Sequence, residues 1–213
     1  MNDVMSWQHE TLGKRAVAAL EKNHFTAVYF PDRQSAVTHI LSLVPEGASV
    51  GIGGSQTERA LGLAVKLEQQ GCIIHDHGRP DLTPEERDAA RLKQLCADVF
   101  ISSSNAVTLT GELVNRDGTG NRVAAMIFGP KKVIVVAGTN KIVRDPAEAE
   151  TRIQRIASPL NNKRLSRPNP CVQTGECMDC HGRARICNIT TIISRCPPLT
   201  DIHVFIIGEE LGY

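Results

Sequence analysis

Residues 26–76 alternate short β-branched runs with amphipathic stretches, and no other feature narrows the fold so far. Thr26–Phe30 (TAVYF) reads as a strand closed by Pro31 and Asp32. Gln34–Val44 reads as a helix with Ile40, Leu41 and Val44 inward, and Pro45-Glu46-Gly47 as a turn. Ala48–Ile52 is the next strand, followed through Gly53-Gly54 by a helix from Gln56 to Gln70 and a third strand at Cys72–His75. Ser55 and Glu58 have the S-x-x-E spacing of a capping box at the start of that helix. Successive strand–helix–strand units require right-handed crossovers, hence a mostly parallel sheet covered by helices on both faces. Aromatic residues are only 4% of the chain, so the core must come from Val, Ile, Leu and Ala, as suits a buried parallel sheet.

The remaining sequence adds elements to this plan. Ser6–Lys22 carries Leu12, Ala16, Ala19 and Leu20 on one helical face, and Thr83-Pro84-Glu85-Glu86 opens a helix to about Leu95. Val99–Ser102, Val123–Ile127 and Val133–Ala137 read as strands. Phe128–Lys132 (FGPKK) is too short for a helical crossover, so a local antiparallel pairing is expected there. Asp145-Pro146 caps a helix to about Ile156. From Ser158, prolines and asparagines mark an irregular segment; a short helix around Ile186–Ile193 and a final strand His203–Ile207 follow. The expected fold is therefore α/β: an open, mostly parallel twisted sheet with helices on both faces and a local antiparallel part. Residues 1–157 form its ligand-binding core, and residues 158–213, a short cysteine-rich segment and the last strand, complete the same domain. A length of 213 residues suits that single unit.

Charge and hydropathy exclude several classes. Lys+Arg is 24 and Asp+Glu is 23, a net charge of +1, which argues against a nucleic-acid footprint. The apolar runs are too short for a membrane span, and the first fifteen residues hold no apolar secretory core, so a cytoplasmic protein is expected.

Three stretches carry candidate chemistry. At the strand–helix junction, Gly53, Gly54, Ser55, Gln56 and Thr57 offer backbone amides, hydroxyls and a helix start to a phosphate or carboxylate. The turn lacks the Lys of a Walker A motif, and Gln56 stands where a dinucleotide fingerprint wants Gly or Ala. The polar segment 103–122 supplies Glu112 as a candidate acid/base, with Asn105, Gly111, Asn115, Asn121 and Arg122 as ligand-positioning candidates; Lys141, after a strand end, is a further one. Asp117-Gly118 also reads as a turn signal. Finally, five of the seven cysteines fall between 171 and 196. Cys171, Cys177, Cys180 and Cys187, with one C-x-x-C pair, are candidate ligands for zinc or an iron–sulfur cluster, although the spacing matches neither a common ferredoxin run nor a two-C-x-x-C ribbon. Free thiols in a reducing compartment are the alternative.

Several strings together resemble the lactate-utilisation (LUD) domain family: GIGGSQTERALGL at 51–63, ADVFISSSNAVTLTGELVNRDGTGNRVA at 97–124, FGPKKVIVVAGTNKIV at 128–143, RLSRPNPC at 164–171, GECMDCHGRARICN at 175–188 and EELGY at 209–213. The resemblance implies a fold like that of the ribose-5-phosphate isomerase, glucosamine-6-phosphate deaminase and coenzyme A transferase group, in which the glycine-rich turn lines a substrate pocket. It also implies a place in lactate-type organic-acid metabolism, where partner subunits in some systems carry iron–sulfur clusters. It carries over no catalytic residue. The expected function is binding of a small anionic metabolite, a carboxylate or a sugar phosphate, with homo-oligomerisation open. The alternatives are a non-catalytic metal or iron–sulfur accessory subunit acting through the cysteines, and a regulatory or assembly module.

Overall fold

The computed structural model describes residues 3–213. Six strands form one all-parallel sheet: β1 (Thr26–Phe30), β2 (Ser49–Ile52), β3 (Ile73–Asp76), β4 (Val99–Ser102), β7 (Lys132–Gly138) and β10 (Asp201–Ile207). Their spatial order is β1-β10-β7-β4-β2-β3. A second sheet, in the order β8-β5-β6-β9, gathers β5 (Ala106–Thr108), β6 (Leu113–Asp117), β8 (Ile142–Val143) and β9 (Ile189–Ile193). Here β6 runs antiparallel to both neighbours.

The period of two along β7 and β10 divides the core. Ile134, Val136, Phe205 and Ile207 face one side, where α2 (Arg33–Leu43), α3 (Gln56–Leu61) and α4 (Leu63–Gln69) cover them with Ile40, Leu61, Leu63 and Leu67. Val133, Val135, Val204 and Ile206 face the other, under α1 (Asp3–Lys22) and α6 (Asn121–Ile127), with Ala16, Leu20, Ala125 and Met126. Both faces being dry, these strands read as continuous apolar runs. Each such side chain contributes about 1.5–3 kcal/mol of burial.

The parallel sheet with helices on both faces is observed, and several local readings are corrected. Residues 123–127 are helical, within α6, not a strand: Gly120 (φ +95) starts the helix, and Ala125 and Met126 pack onto the sheet. β4 then pairs directly with β7, in parallel, so no antiparallel pair forms across Phe128–Lys132. The antiparallel pairings lie in the second sheet instead. The 56–70 helix breaks at Gly62, which adopts φ +64 and separates α3 from α4. Ser55 does cap, accepting from the Thr57 and Glu58 amides, but the Glu58 carboxylate accepts from the Ala64 amide at 3.1 Å and no capping box closes. The box expected at Thr83 and Glu86 is present and starts α5 (Pro84–Leu95). The helix from Asp145, α7 (Pro146–Arg152), continues through a π-helical turn into α8 (Ser158–Arg164), with Pro159 tolerated in the first turn. The region expected to be helical around Ile186–Ile193 holds β9, whose ITTII run is β-branched. No helix among the described residues is long and apolar enough to cross a membrane.

Candidate functional site

Successive connections leave β2 and β4 in opposite directions, β2 toward β3 and β4 toward β7. In an open α/β sheet such a reversal opens a crevice at the carboxyl ends of the strands. Here the segments after four adjacent strands converge: Gly53–Ser55 after β2, His77 and Gly78 after β3, Ser103–Asn105 after β4, and Lys141 after β7. They line a cleft of about 410 Å³. Arg116–Thr119, Asn121 and Arg122, from the end of β6 and the start of α6, form the facing wall, and Arg164, Arg167 and Tyr213 close a third side. The glycines are required by contact: a Cβ on Gly53 would lie 2.5 Å from the Ser102 hydroxyl, and Gly54 holds φ +71.

The lining is strongly basic although the chain is nearly neutral. Seven arginines (59, 87, 91, 116, 122, 164 and 167) and Lys141 face one carboxylate, Asp117. Asp117 Oδ1 accepts from the amides of Thr119 and Gly120, while Oδ2 lies 3.3 Å from Arg122 Nε as an ion pair and accepts no hydrogen bond. Arg122 is a hub, donating to Asn115 Oδ1 (2.6 Å), Asn105 Oδ1 (3.2 Å) and the carbonyls of Ser103 and Arg116. Burial pushes its pKa down against the pull of Asp117. By contrast, buried Nε2 of Gln56 and Nε of Arg87, Arg91 and Arg116 have no acceptor among the described residues. Buried donors normally have partners. These nitrogens are enclosed by protein, and the outer nitrogens of Arg91 and Arg116 pair with Asp88 and Glu150.

Lys141 sits at the floor of the cleft, 3% exposed. Its ammonium donates to Thr57 Oγ1 at 2.9 Å and Ser103 Oγ at 3.0 Å. Burial, and next the charges of Arg152 and Arg122, lower its pKa to about 7. Arg152, itself lowered to about 10 by burial, donates to the carbonyls of Asn140 and Asn105 and so fixes the loops on either side of Lys141. On the β3 side, Gln94 Nε2 bridges the Ile52 and His75 carbonyls and lies 2.9 Å from His77 Nδ1. Burial, with Arg91 next, lowers the His77 pKa.

Of the residues singled out from the sequence, Gly53, Gly54, Ser55, Gln56, Asn105, Asn121, Arg122 and Lys141 do line the cleft. Thr57 lies beneath it as the partner of Lys141, and Asn115 is buried behind Arg122. Gly111 and Glu112 are elsewhere. Gly111 packs on α1, where an added Cβ would meet the Ala19 carbonyl at 2.4 Å, and Glu112 accepts from the hydroxyls of Thr108 and Thr110 at the end of the β5–β6 turn. The expected opposition of a Glu112 carboxylate to the glycine turn is therefore not formed. The turn's amides are also partly taken: Gly53 donates to Ile101 O, and Thr57 to Ser55 Oγ. Gly54 and Ser55 keep free amides among the described residues. Sequence reading missed Arg59, Arg87, Arg91, Arg116, Arg164 and Arg167, which come from separated elements and carry no shared local signal.

A parallel α/β sheet with a basic cleft at the carboxyl ends of its strands, at a topological switch point, is the arrangement at which open α/β folds commonly bind ligands. The chain belongs to the LUD-domain family, whose model, described as LUD domain, matches residues 13–207. A solved DUF162-family protein from Deinococcus radiodurans superposes over 93% of this chain and 98% of its own, with a TM-score of 0.53 and 12% identity, a likeness that shows the fold alone. No curated protein matches the chain at a significant level.

Proposed function

We propose that the cleft binds a small anionic metabolite of the carboxylate or sugar-phosphate class. Membership of the LUD-domain family supports a role related to lactate utilisation. The observation that carries the reading is the charge imbalance of the lining, seven arginines and Lys141 against the carboxylate of Asp117. An anion in the cleft meets guanidinium groups, and a charge-assisted hydrogen bond to a guanidinium is the strong kind. The Gly54 and Ser55 amides add neutral donors.

Lys141 gives the cleft a group that gains and loses a proton near neutrality. In its charged form it neutralises a carboxylate; in its neutral form it takes a proton from a carbon or hydroxyl beside one. On this reading Lys141 takes the proton-transfer role expected of Glu112.

The test is a thermal-shift panel on the full chain with L-lactate, pyruvate, ribose 5-phosphate and coenzyme A, each up to millimolar concentration. Stabilisation by one class, lost in Arg91→Ala, supports the reading. A panel without any shift, or shifts unchanged in Arg91→Ala and in Lys141→Met, overturns it.

A further inference from the structure

Cys171, in the helical turn Cys171–Thr174, and Cys177, Cys180 and Cys187 beyond it are free thiols, and no three His, Cys, Asp or Glu side chains among the described residues gather to hold a metal ion. His77 is placed differently. It lines the cleft just after β3, and the groups packed against its ring fix which nitrogen carries the proton. The chain turns there through Asp76, whose Oδ1 accepts from the Gly78 amide at 2.7 Å. Gln94, fully buried on α5, reaches the ring. Its amino group has three neighbours: the Ile52 carbonyl at 2.8 Å, the His75 carbonyl at 2.9 Å and His77 Nδ1 at 2.9 Å. A carbonyl only accepts, so the two carbonyls require the Nε2 end of the amide to face them. The reversed amide would set Oε1 against both; Oε1 accepts instead from Asn121 Nδ2 at 3.4 Å.

That orientation decides the tautomer. An amide amino group donates and offers no lone pair. A proton on Nδ1 would meet a second donor at 2.9 Å, so Nδ1 is the bare, accepting nitrogen and the proton of the neutral ring is on Nε2. Burial first, then Arg91 on α5, and last Arg59 on α3 hold the ring pKa below its ordinary 6.5, against the pull of Asp76. The Nε2 edge lies against the glycine turn: a Cβ on Gly54 would stand 3.4 Å from His77 Cε1 and 3.5 Å from Nε2. Nε2 itself has no hydrogen-bond partner among the described residues.

We propose that Gln94 locks His77 as the neutral Nε2–H tautomer, and that this N–H is a ligand-binding donor beside the glycine turn, given to an oxygen of the bound anion. The ligand contact rests on the reading of the cleft as an anion site; the lock does not. The arginines and Lys141 supply charge, whereas His77 supplies a donor without charge, as the free Gly54 and Ser55 amides do. A ring locked in this form cannot accept from an ammonium or an amide N–H at Nε2. The ligand class narrows accordingly, to an anion that presents a keto, hydroxyl, carboxylate or phosphoryl oxygen to the Gly54 edge. Gln94 is a positioning residue, since it does not line the cleft and acts through the ring.

The test reads the ring directly. Long-range proton–nitrogen NMR correlations of the isotope-labelled full chain, with His77 assigned by comparison with His77→Gln, should show a bare Nδ1 and a protonated Nε2 at neutral pH. Gln94→Met keeps much of the volume and removes the amino group, and should let the two nitrogens average toward mixed tautomers. An Nδ1–H ring, an imidazolium at neutral pH, or a spectrum unchanged in Gln94→Met would overturn the lock; the wild-type spectrum decides alone if that variant does not fold. For the ligand contact, pyruvate and ribose 5-phosphate are titrated calorimetrically into the wild type, His77→Phe and His77→Gln. His77→Phe removes the donor, and His77→Gln restores one near the Nε2 position. The better-bound anion should lose roughly threefold to tenfold in affinity in His77→Phe and stay within about twofold in His77→Gln, as suits one neutral hydrogen bond. Wild-type affinity in His77→Phe, with binding still lost in Arg91→Ala, would overturn the contact and spare the cleft. Binding of neither anion, with the tautomer as expected, would overturn the cleft reading and the contact together and leave the lock standing.

Discussion

Lys141 Nζ lies 2.9 Å from Thr57 Oγ1, joining the loop after β7 to the first turn of the helix after β2. Thr57 in turn donates to the Leu211 carbonyl at 3.1 Å, so one buried chain links three separated segments beneath the cleft. The ammonium is thereby fixed below the glycine turn. Lys141→Met keeps much of the volume and removes the charge. It is expected to weaken binding of the panel's best anion roughly 10–100-fold, the value of about 1.5–3 kcal/mol for a hydrogen bond to a charged group. Isothermal titration measures it.

The same lysine sets a pH dependence. Its folded pKa of about 7 means that the charged form grows as pH falls from 8.5 to 6. Affinity for a carboxylate such as pyruvate, which does not titrate in this range, should rise over that interval. In Lys141→Met the profile should flatten, and titrations at half-unit pH steps show whether it does.

Stability should respond to two buried groups with opposite signs. Glu58 is raised to about 7, chiefly by burial. Between its ordinary value of 4.5 and 7 the folded state holds more protons than the unfolded one, so stability falls as pH rises through that window. Lys141 is lowered from 10.5 to about 7, so between those values the unfolded state holds more protons and stability rises. The ligand-free protein is expected to be least stable near neutral pH. Glu58→Gln should remove most of the acid-side slope, a difference on the order of 3 kcal/mol across the window. Urea unfolding from pH 4.5 to 9 checks both limbs.

Arg122→Ala should act on the fold before it acts on the ligand. The change strands the buried Asp117 carboxylate and frees Asn105 and Asn115 together. Removing one partner of a buried pair costs about 3–5 kcal/mol, so a fall in Tm of roughly 10 °C is expected by calorimetry. Glu112→Gln, away from the cleft and held by Thr108 and Thr110, should leave ligand affinity unchanged within twofold.

What the sequence made legible was the part decided locally. Val133–Ala137 is β-branched, apolar and long enough to be a buried strand and nothing else, and Thr83 with Glu86 marks a helix start through contacts three residues apart. Val123–Ile127 misleads because Val and Ile carry strand propensity, whereas the outcome is set by Gly120 and by the sheet face that receives Ala125 and Met126. The glycine turn was readable as part of a cleft lining because it needs glycine for steric reasons. The arginines opposite were not: Arg87 and Arg91 look like an ordinary solvated helix face until the fold brings Arg116 and Arg164 to the same cleft. Glu112 failed for the converse reason, since a carboxylate in a polar run gives no sign of which side of a turn it will face.

The most direct measurement is a crystal structure of the protein with the tightest-binding panel member soaked in. The account predicts its anionic group in the cleft, within hydrogen-bond distance of the Gly54 or Ser55 amide and of at least one of Arg87, Arg91 and Arg116. Density for that ligand on any other surface, with the cleft arginines left untouched, would contradict it.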